Sequence, residues 1–349
     1  MSDFTDLTFD RPECATVLIG HEGAERELLD AIRSDRLHHA WLIEGPEGIG
    51  KATLAYRFAG FLLTHPDPAA VAAAQSLAVS RDHPIRHQIE AGACPDLAVL
   101  QRARGEDGKP TAQFITVETV RKVARFLSTT SASGGWRVVI VDCADDMNRN
   151  AANALLKMLE EPPQRTVFLL LANAPGRLLP TIRSRCRRLT LKPLAKPIVI
   201  EALDTAGIGA DPAARDLAAD LADGSLGRAI ALADDQAIET IRSVRAVLDQ
   251  FPRYDPVKAQ TLADALGRRG SEDRYRLAGE LITDWISARM RADADGQGQG
   301  GEHPLAAVLA PWAEVWEKTA RTFRETERLN LDRTQTLLSV FRLLSTATR

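Results

Sequence analysis

One short segment of the chain has the spacing of a phosphate-binding loop. It reads Gly-Pro-Glu-Gly-Ile-Gly-Lys-Ala from Gly45 to Ala52, between an apolar stretch and a segment with helical periodicity. Glycines let backbone amides approach phosphate oxygens, the next helix points its N-terminus at the anion, and Lys51 adds a cation. The pattern predicts a nucleotide site that includes Gly48 and Gly50. A tight strand-to-helix turn without a ligand is the alternative interpretation.

The residue after the lysine departs from this pattern. A Ser or Thr at this position would offer Mg²⁺ a hydroxyl ligand, and the chain has Ala52 instead. Thr53 follows, but it lies about 100° further around the helix. We therefore expect the Thr53 hydroxyl to be a poorly placed ligand for Mg²⁺.

Two further polar residues follow apolar runs that are typical of buried strands. Asp142 follows a β-branched run and could hold Mg²⁺ through water, but the next residue is Cys143, where a Glu would polarise the attacking water. Asn173 follows a second run, at the strand end where open α/β sheets bind ligands. A capped buried strand and a loop-starting Asn are the alternatives. With Ala52 and Cys143 in place, the sequence predicts little or no ATP hydrolysis.

Four arginines lie within the six residues from Arg183 to Arg188. Such density is typical of a solvated surface. The functional alternative is an arginine finger, a guanidinium that reaches a phosphate held by a neighbouring subunit, because arginine suits bidentate contact with phosphate. Upstream, the segment from Asn153 has the pattern of a scaffold helix, which ends at the two prolines Pro162 and Pro163.

The elements that must position these residues alternate between strands and helices. Apolar runs predict four strands, and helical spacing predicts a helix between the second and the third, which together indicate a parallel α/β sheet. After Arg188 nothing resembles a strand, and Gly and Asp-Pro stops predict three short helices between residues 197 and 235. The predicted strands and helix are Trp41–Ile43, Leu97–Leu100, Arg137–Val141, Thr166–Leu171 and Val117–Leu127.

The predicted organisation is thus α/β followed by all-α. We expect a parallel-sheet P-loop domain over residues 1–192, a small helical lid over 193–235 and a helical domain over 236–349. The polar, Gly-rich tract at 293–301 predicts a mobile loop within the last domain.

The composition restricts the class of protein. The chain has 349 residues, 45% apolar and 26% charged, which excludes bulk disorder and a disulfide scaffold. A net charge of -3 gives no overall basic footprint, so DNA contact needs a local patch, such as Arg121, Lys122 and Arg125 on one predicted helix face. No apolar run reaches the ~18 residues of a membrane span, and no CxxC pair occurs. We expect a cytoplasmic protein without membrane association.

Taken together, the motifs resemble one family. His38-His39-Ala40, the GPEGIGK loop, DCADDMN, NALLKMLEEPP and the SRC that contains Arg185 occur in the order of bacterial clamp-loader AAA+ subunits. The resemblance is close over residues 38 to 188, and the helical remainder agrees only in outline. Within the family, the altered loop and the absent Walker B glutamate are similar to the delta-prime subunits of DNA polymerase III rather than to the gamma/tau ATPases.

The resemblance implies an AAA+ domain, a lid and a C-terminal collar through which five subunits form a ring. It also implies a stator that helps to load the sliding clamp onto primed DNA, with gamma/tau and delta subunits, the clamp and primer-template DNA as partners. Arg185 would complete an ATP site on an adjacent gamma subunit. The chain's own degenerate site, with Thr53, Asp142 and Asn173, would hold ATP or ADP with Mg²⁺ at most. An active gamma/tau-like ATPase is the alternative.

Two further departures from the family bear on cofactors. Many relatives carry a four-cysteine zinc knuckle after the P-loop helix, whereas residues 64–96 offer only three ligands with a single thiolate, so we expect no zinc and no metal site. At the position after the Gly-Ser of the lid where the family has an arginine, this chain has Gly227. Arg228 comes one residue later, about 100° further around a helix. The three ligands are His83, His87 and Cys94.

Overall fold

The computed structural model describes residues 11–34, 36–67, 71, 74–103, 112, 114–132, 134–209, 211–297 and 305–347, with the backbone alone at 293–297 and 305–310. The chain divides into two compact units, Met1–Leu232 and Ala233–Arg349. The division into three domains stays a prediction.

The first unit contains a five-stranded parallel sheet with the strand order β2-β3-β4-β1-β5. The three central strands are buried along their whole length, as their continuous apolar sequences predict. The α/β fold class with a parallel sheet is confirmed. The strands are β1 (Ala40–Glu44), β2 (Leu97–Leu100), β3 (Arg137–Val141), β4 (Thr166–Ala172) and β5 (Arg187–Thr190).

The edge strand β5 does not follow from the sequence pattern. Its sequence, Arg-Arg-Leu-Thr, buries only Leu189, so it carries no apolar run that would indicate a strand. It forms because it pairs in parallel with β1, with Trp41 opposite Arg187. The Arg187 guanidinium lies 4.7 Å from the centre of the Trp41 ring. The nearby strand, rather than local sequence, therefore fixes β5.

Helices connect the strands of the sheet. The helix Val117–Ser128 confirms the one predicted between β2 and β3, with Val120, Val123 and Leu127 buried. The helices of this region are α1 (Glu22–Arg33), α2 (Lys51–Thr64), α3 (Pro84–Glu90), α4 (Val117–Ser128), α5 (Arg149–Glu160) and α6 (Pro180–Arg183), with short 3₁₀ turns at Ala144–Asp146 and Pro175–Arg177.

The three short helices expected after the sheet are present. They are α7 (Lys196–Thr205), α8 (Pro212–Leu221) and α9 (Leu226–Leu232). Asp211 caps α8 by accepting a hydrogen bond from the amide of Ala214 at 2.7 Å, with Pro212 at the first helical position. Lys196 of α7 bridges two carboxylates of α8, those of Asp216 at 2.8 Å and Asp220 at 2.6 Å.

In the described residues of the second unit, helices are joined by short turns and loops. Its helices are α10 (Asp235–Leu248), α11 (Pro256–Gly267), α12 (Glu272–Gln297), α13 (Leu305–Leu329) and α14 (Arg333–Ala347). The loop predicted at 293–301 is wrong for residues 293–297, because α12 continues to Gln297; residues 298–301 lie outside the described residues. Among the described helices, none is both long and apolar enough to cross a bilayer.

Candidate functional site

The phosphate-loop segment joins β1 to α2, as its sequence predicts. Gly45, Gly48 and Gly50 have φ values of 155°, 74° and 109°, which other residues rarely adopt. The amide of Gly45 donates to the carbonyl of Ala172 at the end of β4, at 3.3 Å. A Cβ at Gly45 would lie 2.7 Å from the carbonyl oxygen of Leu191, so glycine is required there. The loop is therefore fixed between the ends of neighbouring strands.

Lys51, the first residue of α2, is folded back onto its own loop. Its Nζ donates to the carbonyl oxygens of Gly45 at 2.8 Å and Pro46 at 2.6 Å. The side chain is buried, and this burial lowers the pKa of the ammonium group. Lys51 thus has two protein acceptors where a phosphate-binding lysine would have phosphate oxygens.

The start of α9 lies directly against the loop. The hydroxyl of Ser225 donates to the carbonyl of Glu47 at 2.7 Å, and the amide of Gly227 donates to the carbonyl of Gly48 at 2.8 Å. A Cβ on Gly227 would lie only 2.9 Å from the Cα of Gly48, so the two backbones touch at a point where neither residue has a side chain. We call these two hydrogen bonds and the glycine contact the lid clasp.

Sequence reasoning missed Ser225 and Gly227 as parts of this site. The available signal was the glycine at the position where the family pattern has an arginine. The arginine one residue later, Arg228, places Nη1 at 3.8 Å from a carboxylate oxygen of Asp223, on the lid itself. The lid therefore contacts the loop through Gly227, at the position where the family pattern has an arginine.

The strand-end residues come together, because β3 and β4 are neighbours in the sheet. The amide nitrogen Nδ2 of Asn173 donates to Sγ of Cys143 at 3.8 Å, and that Sγ lies 3.7 Å from Oδ1 of Asp142. Asp145 accepts from the backbone amides of Asn173 and Ala174, at 3.3 and 2.9 Å. Its carboxylate is therefore used to hold the end of β4.

Cys143 is a neutral thiol in this setting. Burial, followed by the carboxylates of Asp142, Asp146 and Asp145, raises its pKa to about 12. It adopts φ 56°, a left-handed conformation that costs a non-glycine residue energy. A protonated thiol cannot accept a proton from water, so the position offers no general base.

These residues do not fit a site for magnesium-dependent hydrolysis. Ala52 has no side-chain oxygen for the metal, and Thr53, the third residue of α2, is half-buried one position further around the helix. Cys143 replaces the base, and the carbonyl oxygens of Glu47 and Gly48 already accept hydrogen bonds from the lid. What is left of the pattern is the glycine loop, Lys51, Asp142 and Asn173.

His21 is a further residue of the loop's surroundings that sequence reasoning missed. The nitrogen Nε2 of this buried histidine lies 2.8 Å from the carbonyl oxygen of Ile49, within the loop. Burial lowers the pKa of His21, although the Ile49 carbonyl and the carboxylate of Glu22 oppose the shift. A neutral ring that donates Nε2–H to this carbonyl fits the geometry.

The arginine-rich segment lies at the other side of β1. Arg188 donates from Nε and Nη2 to the buried carboxylate of Glu44, with the shortest distance 2.7 Å, and Thr190 donates to the same carboxylate at 2.7 Å. Arg187 pairs with Glu27 at 2.8 Å. Two of the four arginines thus serve the sheet edge.

Arg185 is held differently. Its Nη1 donates to the carbonyl of Thr181 at 3.0 Å, its Nη2 donates to Oε1 of Glu160 at 2.8 Å, and its side chain is 36% exposed. Cys186 beside it is buried in the core, and burial raises its pKa to about 12. The core anchors the backbone here, while the Arg185 side chain is partly exposed.

The insertion after α2 contains no metal cluster among its described residues, as holds for the rest of the described chain. His83 serves as the cap of α3, where its Nδ1 accepts from the amide of Ile85 at 3.2 Å. Cys94 is buried. The absence of zinc stays a prediction.

The fold and the loop define a P-loop protein with a parallel α/β sheet, in which Ala52 and Cys143 stand where hydrolysis needs a metal-binding hydroxyl and a general base. A family model described as DNA polymerase III, delta subunit, matches residues 20–195, half of the chain. The chain belongs to this family.

Curated relatives agree with this assignment. The delta-prime subunit of DNA polymerase III from Pseudomonas aeruginosa is 45% identical over 148 residues, 42% of this chain and 41% of the relative. The Bacillus subtilis delta-prime subunit is 35% identical over 174 residues, 50% of this chain and 48% of the relative. The tau subunit of Escherichia coli is 29% identical over 279 residues, 77% of this chain and 40% of the relative. The expected resemblance to delta-prime subunits is confirmed.

In these matches the chain spans about two fifths to a half of the length of the relatives. A solved structure from Thermotoga maritima, a DNA polymerase III gamma subunit-related protein, aligns over 93% of this chain and 100% of its own with 17% identity and a TM-score of 0.43. The Thermotoga maritima RuvB branch migration motor aligns over 87% of this chain and 86% of its own with 19% identity and a TM-score of 0.42.

Proposed function

We propose that the chain is the delta-prime subunit of a DNA polymerase III clamp loader. In this proposal it is a stator that helps to load the sliding clamp onto primed DNA and supplies Arg185 to an ATP site of an adjacent gamma/tau subunit. The observation that carries the proposal is the pairing of a partly exposed Arg185, with N–H groups left for an anion, and a P-loop against which the lid lies. Its own turnover of ATP is weak or absent.

The partners follow from the same assignment. They are the gamma/tau and delta subunits, the sliding clamp and, through the assembled ring, primer-template DNA. Within this chain, Arg121, Lys122 and Arg125 are exposed on α4 and could follow a DNA backbone inside the ring. Three cations in a chain of net charge -3 support weak contact only, so binding of DNA by the isolated chain should be slight.

The lid clasp supports the proposed lack of turnover. Phosphate binding by a P-loop uses the loop's amides and the free ammonium of its lysine. Here Lys51 is already bonded to Gly45 and Pro46, and Gly227 rests on Gly48. ATP or ADP with Mg²⁺ would therefore bind at most as a static ligand, in contact with Thr53.

Arginine chemistry supports the proposed finger. A guanidinium stays charged at any physiological pH and presents a planar fork that matches phosphate oxygens. Arg185 sits on a backbone that the buried Ile182 and Cys186 fix on either side. A charge that an adjacent subunit supplies in this manner stabilises the phosphoryl-transfer transition state.

The test is Arg185→Ala in a loader reconstituted with its gamma/tau and delta subunits. We expect turnover at the ATP site that Arg185 completes to fall by about 10³-fold, while assembly of the ring, followed by gel filtration, is unchanged. Arg183→Ala is the matched control, because Arg183 is an exposed arginine of the same segment. Equal turnover in the Arg185 variant and the wild type would contradict the proposal.

A second measurement separates this function from that of an active gamma/tau-like ATPase. The purified chain alone should show little or no turnover, whether or not it binds ATP. Turnover that disappears in Lys51→Ala would identify an active ATPase and would show that Ala52 and Cys143 do not prevent hydrolysis.

A further inference from the structure

The segment from Asn153 to Pro163 has the pattern of a scaffold helix, and the last turn of this helix has a role that a scaffold does not include. Helix α5 ends at Glu160, because Pro162 and Pro163 cannot continue it. The side chain of Glu160 is half exposed and accepts the 2.8 Å hydrogen bond from Nη2 of Arg185, 25 residues further along the chain. The prolines therefore fix the helix end beside the proposed finger.

Two acceptors from different elements hold this guanidinium. Glu160 comes from α5, and the carbonyl of Thr181 comes from the first turn of α6. Two acceptors on two elements fix the plane of the Arg185 guanidinium. With one acceptor alone, the guanidinium could rotate about that hydrogen bond. A guanidinium has five N–H groups, and these bonds use two of them, so the others can donate to an anion while both bonds persist.

We propose that Glu160 is a positioning residue for Arg185, so that the finger acts as a pair rather than as one side chain. The proposal rests on the proposed function and assigns the acidic end of the NALLKMLEEPP segment a part in it. Arginine loses much rotamer freedom when it binds, and a partner that orders it beforehand reduces this loss on contact with phosphate. Glu160 itself touches no reacting atom.

The chain offers a matched control. Glu161 is the next residue, is also exposed and carries the same charge, but it is not the acceptor of the 2.8 Å bond from Arg185. Glu160→Ala and Glu161→Ala change net charge equally. Glu160→Gln removes the charge but keeps an oxygen that can accept from Nη2.

The first experiment measures the arginine within the full-length chain. NMR of the guanidinium nitrogens, assigned with Arg185→Lys, reports the rotation rate about the Nε–Cζ bond. We expect slow rotation in the wild type and in Glu161→Ala, faster rotation in Glu160→Ala and an intermediate rate in Glu160→Gln. Equal rates in all four proteins would overturn the proposal, whatever the loader does.

The second experiment is a double-mutant cycle in the reconstituted loader. Because an exposed ion pair is weak, we expect Glu160→Ala to lower ATP turnover about 2- to 5-fold, with recovery in Glu160→Gln and no change in Glu161→Ala. In the Arg185→Ala background, Glu160→Ala should have no further effect. An equal loss in both backgrounds would give Glu160 a merely structural role and overturn the inference. If Arg185→Ala had no effect by itself, the proposed function would fail, and the pair would be a local contact only.

Discussion

The P-loop and the Arg185 edge both carry groups suited to phosphate, yet the chain treats them in opposite ways. At the P-loop, Lys51 donates to two carbonyls of its own loop and the lid lies on Gly48. At the other edge, Arg185 keeps a side chain 36% exposed and uses only two of its five N–H groups. At the P-loop the chain's own groups occupy the lysine and contact the loop, whereas at Arg185 the chain leaves N–H groups that an external phosphate can reach.

The two regions also differ in how they could change. Rotation of a side chain is enough to release Arg185 from Glu160. In contrast, the lid clasp includes a bond between two backbones and a contact between two glycines, so only movement of α9 as a whole can open the loop. The P-loop is therefore the more rigid of the two, and three measurements can break or sharpen this comparison.

The largest effect is expected from Gly227→Ala. Helix propensity alone predicts that this change stabilises the protein by up to about 1 kcal/mol, since Gly227 lies in α9. The new Cβ would meet the Cα of Gly48 at 2.9 Å, and overpacking of this kind costs about 1–3 kcal/mol. We expect a net loss in the free energy of unfolding, measured by urea denaturation.

The control for this prediction is Gly23→Ala. Gly23 lies in α1 and is exposed, and a Cβ at this position would have no neighbouring atom within 4 Å. The same change there should leave stability unaltered or raise it. If Gly227→Ala also stabilised the protein, the lid would not be in contact with the loop in solution.

The next prediction concerns the thiol at the end of β3. With a pKa of about 12, Cys143 is almost wholly protonated at pH 8. Its thiolate fraction is about three orders of magnitude lower than that of a thiol with a pKa of about 8.5. A thiolate of higher pKa is also a stronger nucleophile, which offsets part of the lower fraction. Alkylation should therefore be on the order of 50-fold slower. Mass spectrometry of the iodoacetamide-treated native protein measures the rate.

Unfolding provides the control for Cys143. In urea the thiol is no longer buried, which removes the largest cause of its raised pKa, so its labelling rate should rise to that of a short peptide with the same local sequence. Fast labelling of Cys143 in the native protein at pH 8 would contradict the buried, acidic setting described for it and would reopen the question of a reactive group at this position.

Much of the P-loop region follows from local sequence. Long apolar runs predict β3 and β4, and they place Asp142 and Asn173 at the strand ends where open α/β sheets bind ligands. The structure brings these residues together around Cys143. Their roles toward a nucleotide stay predictions.

The features that sequence reasoning missed depend on contacts between distant segments. Strand β5 has one buried residue and needs β1 as its partner. The sequence shows that Gly227 stands where an arginine is expected, but the reason, contact with Gly48, exists only in the folded chain. Likewise, no spacing within α5 indicates that Glu160 meets Arg185, because the pairing depends on where α6 begins.

The smallest effect concerns His21 beneath the loop. Because burial lowers its pKa from 6.5, the unfolded chain binds a proton in a pH range where the folded chain does not. Stability should therefore fall as pH decreases from about 6.5 toward the folded-state pKa, and should not depend on this group above that range. Burial also lowers the pKa of His39, which adds a change of the same sign. The lowered pKa of Glu44 acts only below its ordinary value of 4.5.

His21→Gln isolates the contribution of His21, because the amide of Gln can still donate to the Ile49 carbonyl but does not titrate. Between pH 7.5 and 5.5 the variant should lose less stability than the wild type, by on the order of 1 kcal/mol or less, as measured by urea denaturation at each pH. Ile32→Val in α1 is the control, since it removes a methyl group from a buried residue and should lower stability equally at both pH values. The same pH dependence in His21→Gln and the wild type would mean that the histidine is not buried against the loop. The P-loop would then be more open than described, and the contrast with the Arg185 edge would be weaker.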